Sequence, residues 1–447
     1  MVAVFTNVFT TAFRIIQVVL EAFLALGWLI LNGAKAAMGG GIAAFATSAA
    51  AQRRVFAILR AFVPNFTLNK VLMKAYDNTG TAVVSRRVDV LDVLNRNDDF
   101  EVVYGTRMRK LTEGENFFLG MQPGWDYTRD TSAMRLAARM DDVPNIVLPR
   151  ATERADDIVK ASGGKIDIVP ALTLEVPWDM TATYFGAGGE REAMQAWTTD
   201  LFWYLFEDLP ADPKLDAKAM KFAGALRSYL DTLIQDRKAN PTDAEDILNR
   251  CLALQSADTP GMSDLGIRNN MLGILIGAIP TISKACCLAL DELLNRPDAL
   301  ATAHKAALAG DDALLAMHIW EALRFNPHNP VIYRRATRDA VVGRSTLRQR
   351  TIKKGQIVFA GTASAQFDRY DIPTPNQFRT DRPFEDYIIW GYGMHNCFGA
   401  AINAAVIPAI LKPLLAQKNL RRAAGAAGQI DGGGTPHPQH FHVEFDT

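Results

Sequence analysis

An apolar pattern runs from Met262 to Asn295, nearly unbroken between Ile267 and Leu294, and Pro297 ends it. Ser263 stands where an N-cap belongs, so the stretch predicts one long helix. A helix apolar on every side is buried inside a protein. A second apolar run, Ala400 to Leu415, predicts another helix. A third, Ile15 to Ala34, is interrupted only by Gln17, Glu21 and Asn32 and is about long enough to span a bilayer. Arg53 and Arg54 follow it and suit a cytoplasmic face. Three arrangements fit residues 1–55: a membrane anchor, a helix lying in the membrane surface, or helices packed on the body. Residues 56–447 then form the main domain.

Shorter patterns fill the rest. Thr81 to Val88 reads as a strand after the Asn78-Thr79-Gly80 turn, and Asp89 to Asn97 as a short helix. Gly105 to Gly120 reads as loop-rich. A helix begins after Pro123-Gly124, with Trp125 and Arg129 one turn apart on the same face. Residues 141–260 read as helices: Trp197 to Phe206 is an aromatic run, Glu207 to Lys214 a Pro-broken loop, and Asn240-Pro-Thr-Asp243 a helix start. Lys353 to Phe359 is a turn and strand, and the chain ends in a hairpin at Val443-Glu-Phe. Within that tail His440 and His442 fall on one side of a strand, a spacing seen in metal sites, although the hairpin alone accounts for it. The fold class is mainly α with small β-sheets.

Composition narrows the function. The chain is 49% hydrophobic with zero formal net charge, so nothing points to nucleic acid. Cys251, Cys286, Cys287 and Cys397 match neither a zinc site nor a disulfide framework, which suits a reducing or cytoplasm-facing compartment. Cys397 differs from the other three. It lies in Trp390-Gly391-Tyr-Gly393-Met-His395-Asn-Cys397-Phe-Gly399, directly before the Ala400–Leu415 run. The amides and dipole of that helix are expected to lower its pKa, and Gly393 and Gly399 to allow close backbone approach or positive φ. A thiolate so placed can bind heme iron.

This loop resembles the cysteine loop of the cytochromes P-450, Phe-x-x-Gly-x-Arg/His-x-Cys-x-Gly. It matches at Gly393, His395, Cys397 and Gly399, and departs where Trp390 replaces Phe. The resemblance covers roughly residues 60–447. It implies heme b, held through Cys397, with the Met262–Asn295 helix crossing above it. Gly277-Ala278-Ile279-Pro280-Thr281 then fills the place of the family's acid–alcohol segment: Thr281 is the alcohol, Pro280 replaces the acid and kinks the helix, and Gly277 and Ala278 leave room for oxygen. Glu321 and Arg324 resemble the family's Glu-x-x-Arg. Arg334 (with Arg335 as runner-up), His395 and Arg129 are implied propionate partners. The turn carrying Trp125 and Tyr127 is implied to face the propionates in either register, with Tyr127 where many bacterial members carry His, and Trp390 and Gly391 of the cysteine loop are implied to line the heme. Met108, Leu111, Phe117 and Phe118 are candidate pocket residues.

The function implied is a monooxygenase acting on an apolar small molecule or lipid, using O2 and an external redox partner. A peroxygenase or fatty-acid hydroperoxide-rearranging enzyme is one alternative, and a non-catalytic heme carrier or sensor another. Its location is either membrane-associated with a cytoplasmic catalytic domain, or cytoplasmic.

Overall fold

A computed structural model describes residues 2–115 and 117–446, with side chains from residue 12 onward. The helices are α1 (Val2–Met38), α2 (Ile42–Thr47), α3 (Ala49–Phe62), α4 (Arg87–Asn95), α5 (Gly105–Leu111), α6 (Trp125–Ala137), α7 (Leu148–Ala161), α8 (Glu175–Thr183), α9 (Arg191–Phe202), α10 (Pro213–Ala239), α11 (Ile247–Ser256), α12 (Asp264–Leu294), α13 (Pro297–Ala309), α14 (Asp312–Phe325), α15 (Thr362–Ala365) and α16 (Ala400–Leu415). The strands are β1 (Asn65–Leu68), β2 (Thr81–Val84), β3 (Phe100–Glu101), β4 (Lys165–Asp167), β5 (Ile332–Ala336), β6 (Ala340–Val342), β7 (Arg350–Ile352), β8 (Ile357–Ala360), β9 (Lys418–Arg422) and β10 (His442–Asp446). The chain is mainly helical with small sheets, as the sequence implied.

It divides into two compact units. The first gathers Met1–Leu72, Asp77–Glu101 and Trp320–Asn396. Its sheet runs β1-β2-β8-β5-β3, where β2 and β8 pair in parallel and β5 runs antiparallel to β8. Val90, Val93 and Leu94 of α4 cover it, with Val84, Phe100, Val358 and Ile388 in the same core.

α1 and α3 pack within this unit. Val18, Ala22 and Ala25 are buried, and the Glu21 carboxylate pairs with Arg369 and accepts from Asn376 Nδ2 at 3.0 Å. Burying one face and engaging Glu21 packs α1 on this unit, while its Ala12–Met38 stretch is also long and apolar enough to cross a membrane. Its outward face remains apolar: Phe13, Ile16, Leu20, Leu24, Ile30 and Leu31 are exposed. The boundary expected at residue 55 falls inside α3.

The second unit gathers Met73–Tyr76, Val102–Ile319 and Cys397–Thr447. α12 is its spine. Ser263 caps it by accepting from the Gly266 amide at 3.1 Å, and Pro280 lies inside it without ending it. α9, α10, α8 and α16 pack on it. A small sheet, β4-β10-β9, closes the unit's C-terminal part.

Several boundaries differ from expectation for identifiable reasons. The strand from Thr81 stops at Val84, because Ser85 turns back to donate its amide to the Pro64 carbonyl at 3.0 Å. Gly105–Gly120 is not all loop: α5 forms there, with Arg107 pairing to Asp208 at 2.8 Å and Met108 and Leu111 buried. The helix expected from Asn240 starts at Ile247 instead, capped by Asp246, whose Oδ1 accepts from the Asn249 amide at 2.7 Å.

Candidate functional site

The site residues of the first unit form two groups. Glu321 and Arg324 lie three apart on α14, so their side chains meet on one face. Both are fully buried and bidentate: Arg324 Nη2 donates to Glu321 Oε1 at 2.7 Å and Nε to Oε2 at 2.8 Å. The carboxylate also accepts from the Arg379 amide at 2.9 Å, Arg382 Nε at 3.2 Å and the Tyr387 hydroxyl at 3.2 Å. Arg324 Nη1 donates to the Gln366 carbonyl at 3.0 Å. Burial pulls the Arg324 pKa down and the Glu321 carboxylate pushes it back up, leaving it below the ordinary value.

The second group surrounds the start of the cysteine loop. Trp390 packs edge-on against Trp320, with ring centroids 5.2 Å apart. Gly391 and Gly393 have φ of 82° and 74°, the left-handed region where a side chain is strained. A Cβ at Gly393 would also lie 2.9 Å from the Leu94 carbonyl oxygen of α4. His395 and Arg334 are brought together: burial first, then the Arg334 charge, drives the His395 pKa down to about 3, so the imidazole is neutral. Arg335 pairs with Glu101 at 2.6 Å, which leaves Arg334 as the inward cation of β5.

In the second unit Cys397 and Gly399 precede α16. Gly399 has φ −85°, so it is not needed for a left-handed turn, contrary to that part of the expectation. Its contribution is proximity, because its amide donates to the Cys397 sulfur. Asn403 Nδ2 lies 3.7 Å from Sγ. The expected lowering of the Cys397 pKa does not hold for the bare thiol. Burial raises it, and the Gly399 amide and Arg135 charge offset only part of that rise. Metal coordination reverses this balance by removing the proton outright. Cys251 and Cys287 are pushed by burial to about 12, and Cys286 also well above its ordinary value, so they are inert core thiols.

α6 corrects the sequence reading most. Trp125 is 68% exposed. Arg129 pairs with Asp130 at 2.7 Å and Asp126 at 3.0 Å on its own helix, so its charge is satisfied locally. The cation beside Cys397 is Arg135, whose guanidinium sits over the Phe398 ring at 3.8 Å. Tyr127 is half-buried and feels the Arg135 charge. Arg135 was missed, but the signal was present: Arg129 has acidic neighbours at i−3 and i+1, and Arg135 has none that close.

On α12, Gly277, Ala278 and Thr281 remain accessible along a helix whose middle is otherwise mostly buried. A Cβ at Gly277 would meet nothing within 4 Å. The Thr281 hydroxyl donates to the Gly277 carbonyl. Met108 and Leu111 are ordinary core. Phe117 lies so close to Gly273 that a Cβ there would sit 2.4 Å from its ring, and Phe118 packs on Phe398 at 4.9 Å.

Beside Pro280 lies a buried polar cluster that the sequence did not reveal. Lys284 Nζ pairs with Glu207 Oε1 at 2.7 Å, and His437 Nε2 is 3.6 Å from Glu207 Oε2. His437 also lies against the Pro280 carbonyl, and burial lowers its pKa to about 3.

These residues fit a flat iron cofactor. A cysteine sulfur is cradled by a backbone amide at a helix N-terminus, a cation stands beside it, and a long helix offers a small-residue stretch with open space at Gly277.

Comparison with known proteins gives concordant results. A family model described as Cytochrome P450 matches residues 68–417. The chain is similar to a vitamin D(3) 25-hydroxylase of Pseudonocardia autotrophica, 27% identical over 261 residues, which is 58% of this chain and 60% of that protein. It is similar to the cytochrome P450 monooxygenase PikC of Streptomyces venezuelae, 26% identical over 284 residues, or 62% of this chain and 64% of that one. The matched segments therefore span less than two thirds of these relatives. Among solved structures, P450BioI in complex with hexadec-9Z-enoic acid ligated acyl carrier protein superposes with TM-score 0.73 at 17% identity, covering 88% of this chain and 98% of that one.

Proposed function

The chain belongs to the cytochrome P450 family, and from that premise we propose that it is a monooxygenase acting on an apolar small molecule or lipid. The family's cofactor is heme b, held by a cysteine thiolate. The single observation that carries the reading is Cys397: among the four cysteines it alone combines a helix N-terminus, an amide donated to its sulfur and a nearby cation. Cys397 is the residue that would hold the heme iron.

Thiolate-bound heme supplies the electron push for O–O cleavage. The chain's own residues do the rest. The Gly399 amide and Asn403 orient the sulfur and stabilise its negative charge. Arg135, rather than Arg129, is the α6 cation proposed for a propionate, and His395 and Arg334 are proposed for the same task. Gly277 and Ala278 keep side chains out of the oxygen face, and the Thr281 hydroxyl, whose proton goes to the Gly277 carbonyl, offers an acceptor there. Support for an apolar substrate comes from the apolar character of α12 and from the name of one relative, a vitamin D(3) 25-hydroxylase.

Pro280 favours a second reading. The position offers neither an acid nor an amide to organise proton delivery. A peroxide brings its own electrons and protons, so a peroxygenase suits this helix. The test is product formed per NAD(P)H consumed with surrogate reductases, beside turnover with hydrogen peroxide, on one apolar substrate that shifts the heme spectrum. Tight coupling with no peroxide turnover supports the monooxygenase; the reverse supports the peroxygenase. Heme binding without turnover by either route overturns both.

Membrane association is proposed through the apolar outward face of α1, lying in the surface rather than spanning it. Quantitative release of the protein from membranes by a salt wash would contradict this.

A further inference from the structure

The C-terminal strand brings together three side chains that the heme reading does not use. β10 pairs antiparallel with β4 in a register that sets His442 opposite Asp167. His440 precedes His442 by two residues, so both project to one side. Their rings lie nearly parallel, with centroids 6.4 Å apart. Asp167 is held from behind: its Oδ1 accepts the amides of Phe441 at 2.9 Å and Val169 at 3.3 Å. That leaves Oδ2 directed at the imidazoles, 2.6 Å from His440 Nδ1 and 3.5 Å from His442 Nε2.

One donor atom from each residue can be chosen so that all lie within 4.8 Å of one another. A tetrahedral ion with bonds of about 2.0–2.1 Å holds its donors roughly 3.3 Å apart. The two imidazoles are solvent-exposed for about half their surface, at 58% and 43%, so nothing packed around them opposes rotation toward that spacing. The carboxylate, already fixed by two amides, need not move. This is an ordered ligand with an outer shell in place, as metal sites require.

We propose that Asp167, His440 and His442 bind a divalent transition-metal ion, zinc in the first instance, with water completing the shell. Two imidazoles and one carboxylate suit zinc, copper or nickel, whereas magnesium and calcium take all-oxygen sets. The ion ties β4 to the C-terminal strand across 273 residues of chain, so it stabilises the folded state by mass action.

The test uses full-length, heme-loaded protein without a histidine tag, treated with chelator and dialysed. Titration calorimetry with zinc chloride is expected to show one equivalent per chain, and the melting temperature is expected to rise with zinc. His440→Ala and His442→Ala are each expected to weaken binding at least ~tenfold. Both are surface changes, so the heme spectrum should be unaltered and report intact folding. Absence of stoichiometric zinc uptake overturns the proposal. So does uptake that persists in the double variant, or binding of magnesium in preference to zinc.

Discussion

The Glu321 cluster and the Pro280 stretch of α12 are built on opposite plans. Around Glu321 nearly every polar atom is matched: one buried carboxylate takes donors from the buried Arg324, Arg382 and Tyr387 and from the Arg379 amide. Around Pro280 a helix amide is absent, the neighbouring Gly277 faces open space, and Thr281 spends its hydroxyl on its own helix. The first arrangement tolerates no change because removing one partner strands several others. In the second, Ile279 and Pro280 are buried while Gly277, Ala278 and Thr281 stay accessible, which suits the reacting face proposed for it.

The largest expected effect breaks the closed side of this contrast. Glu321→Ala leaves the buried Arg324 and Arg382 charges without their carboxylate and is expected to cost about 3–5 kcal/mol. Thermal melts and heme content check it; normal values in both would show that the cluster is not fold-bearing. Next in size is the cluster bordering the open side. Lys284→Met removes the cation of the Glu207 pair and is expected to cost about 1–3 kcal/mol. Burial already holds the Glu207 pKa above its ordinary value, so the carboxyl can take up a proton and limit the loss. Melts of this variant against pH measure it, with the deficit expected to shrink toward acid.

A pH effect of smaller size comes from His437. Its pKa is about 3 in the folded protein against an ordinary 6.5. The folded state therefore binds fewer protons than the unfolded one between those values. Its contribution is fully present above about pH 6.5 and is lost as pH falls toward 3. His437→Gln cannot titrate, so its stability profile should be flatter in that window; an unchanged slope would place the effect elsewhere. The smallest effect is at Trp125, where exposure predicts a change within about 0.5 kcal/mol for Trp125→Ala. A loss of heme from that variant would restore the sequence-based role for Trp125.

What the sequence made legible follows the same division. The long apolar run, its Ser263 cap, the helix after Cys397 and the Glu-x-x-Arg spacing are local patterns with one physical outcome, and each was found where expected. Arg129 and Arg135 were separable by helix spacing, because only Arg129 has carboxylates at i−3 and i+1, but the Trp-x-x-x-Arg resemblance drew the choice to Arg129. The ends of short elements failed for a related reason: Asp246, not Asn240, starts α11 through a cap that tertiary packing selects. His437 lies 157 residues beyond the Pro280 carbonyl that it meets (437 − 280), and no local pattern signals such a pairing. The direction of the Cys397 pKa was misjudged because dipole and amide are local while burial is not.

The most direct test of the account is the axial ligand. Reduced protein treated with carbon monoxide should show the red-shifted band of heme-thiolate, and Cys397→Ser should abolish it, whereas Cys251→Ser, Cys286→Ser and Cys287→Ser retain it. A Cys397→Ser protein that keeps the band, while one of the other three variants loses it, would contradict the assignment of Cys397 and with it the reading of the second unit.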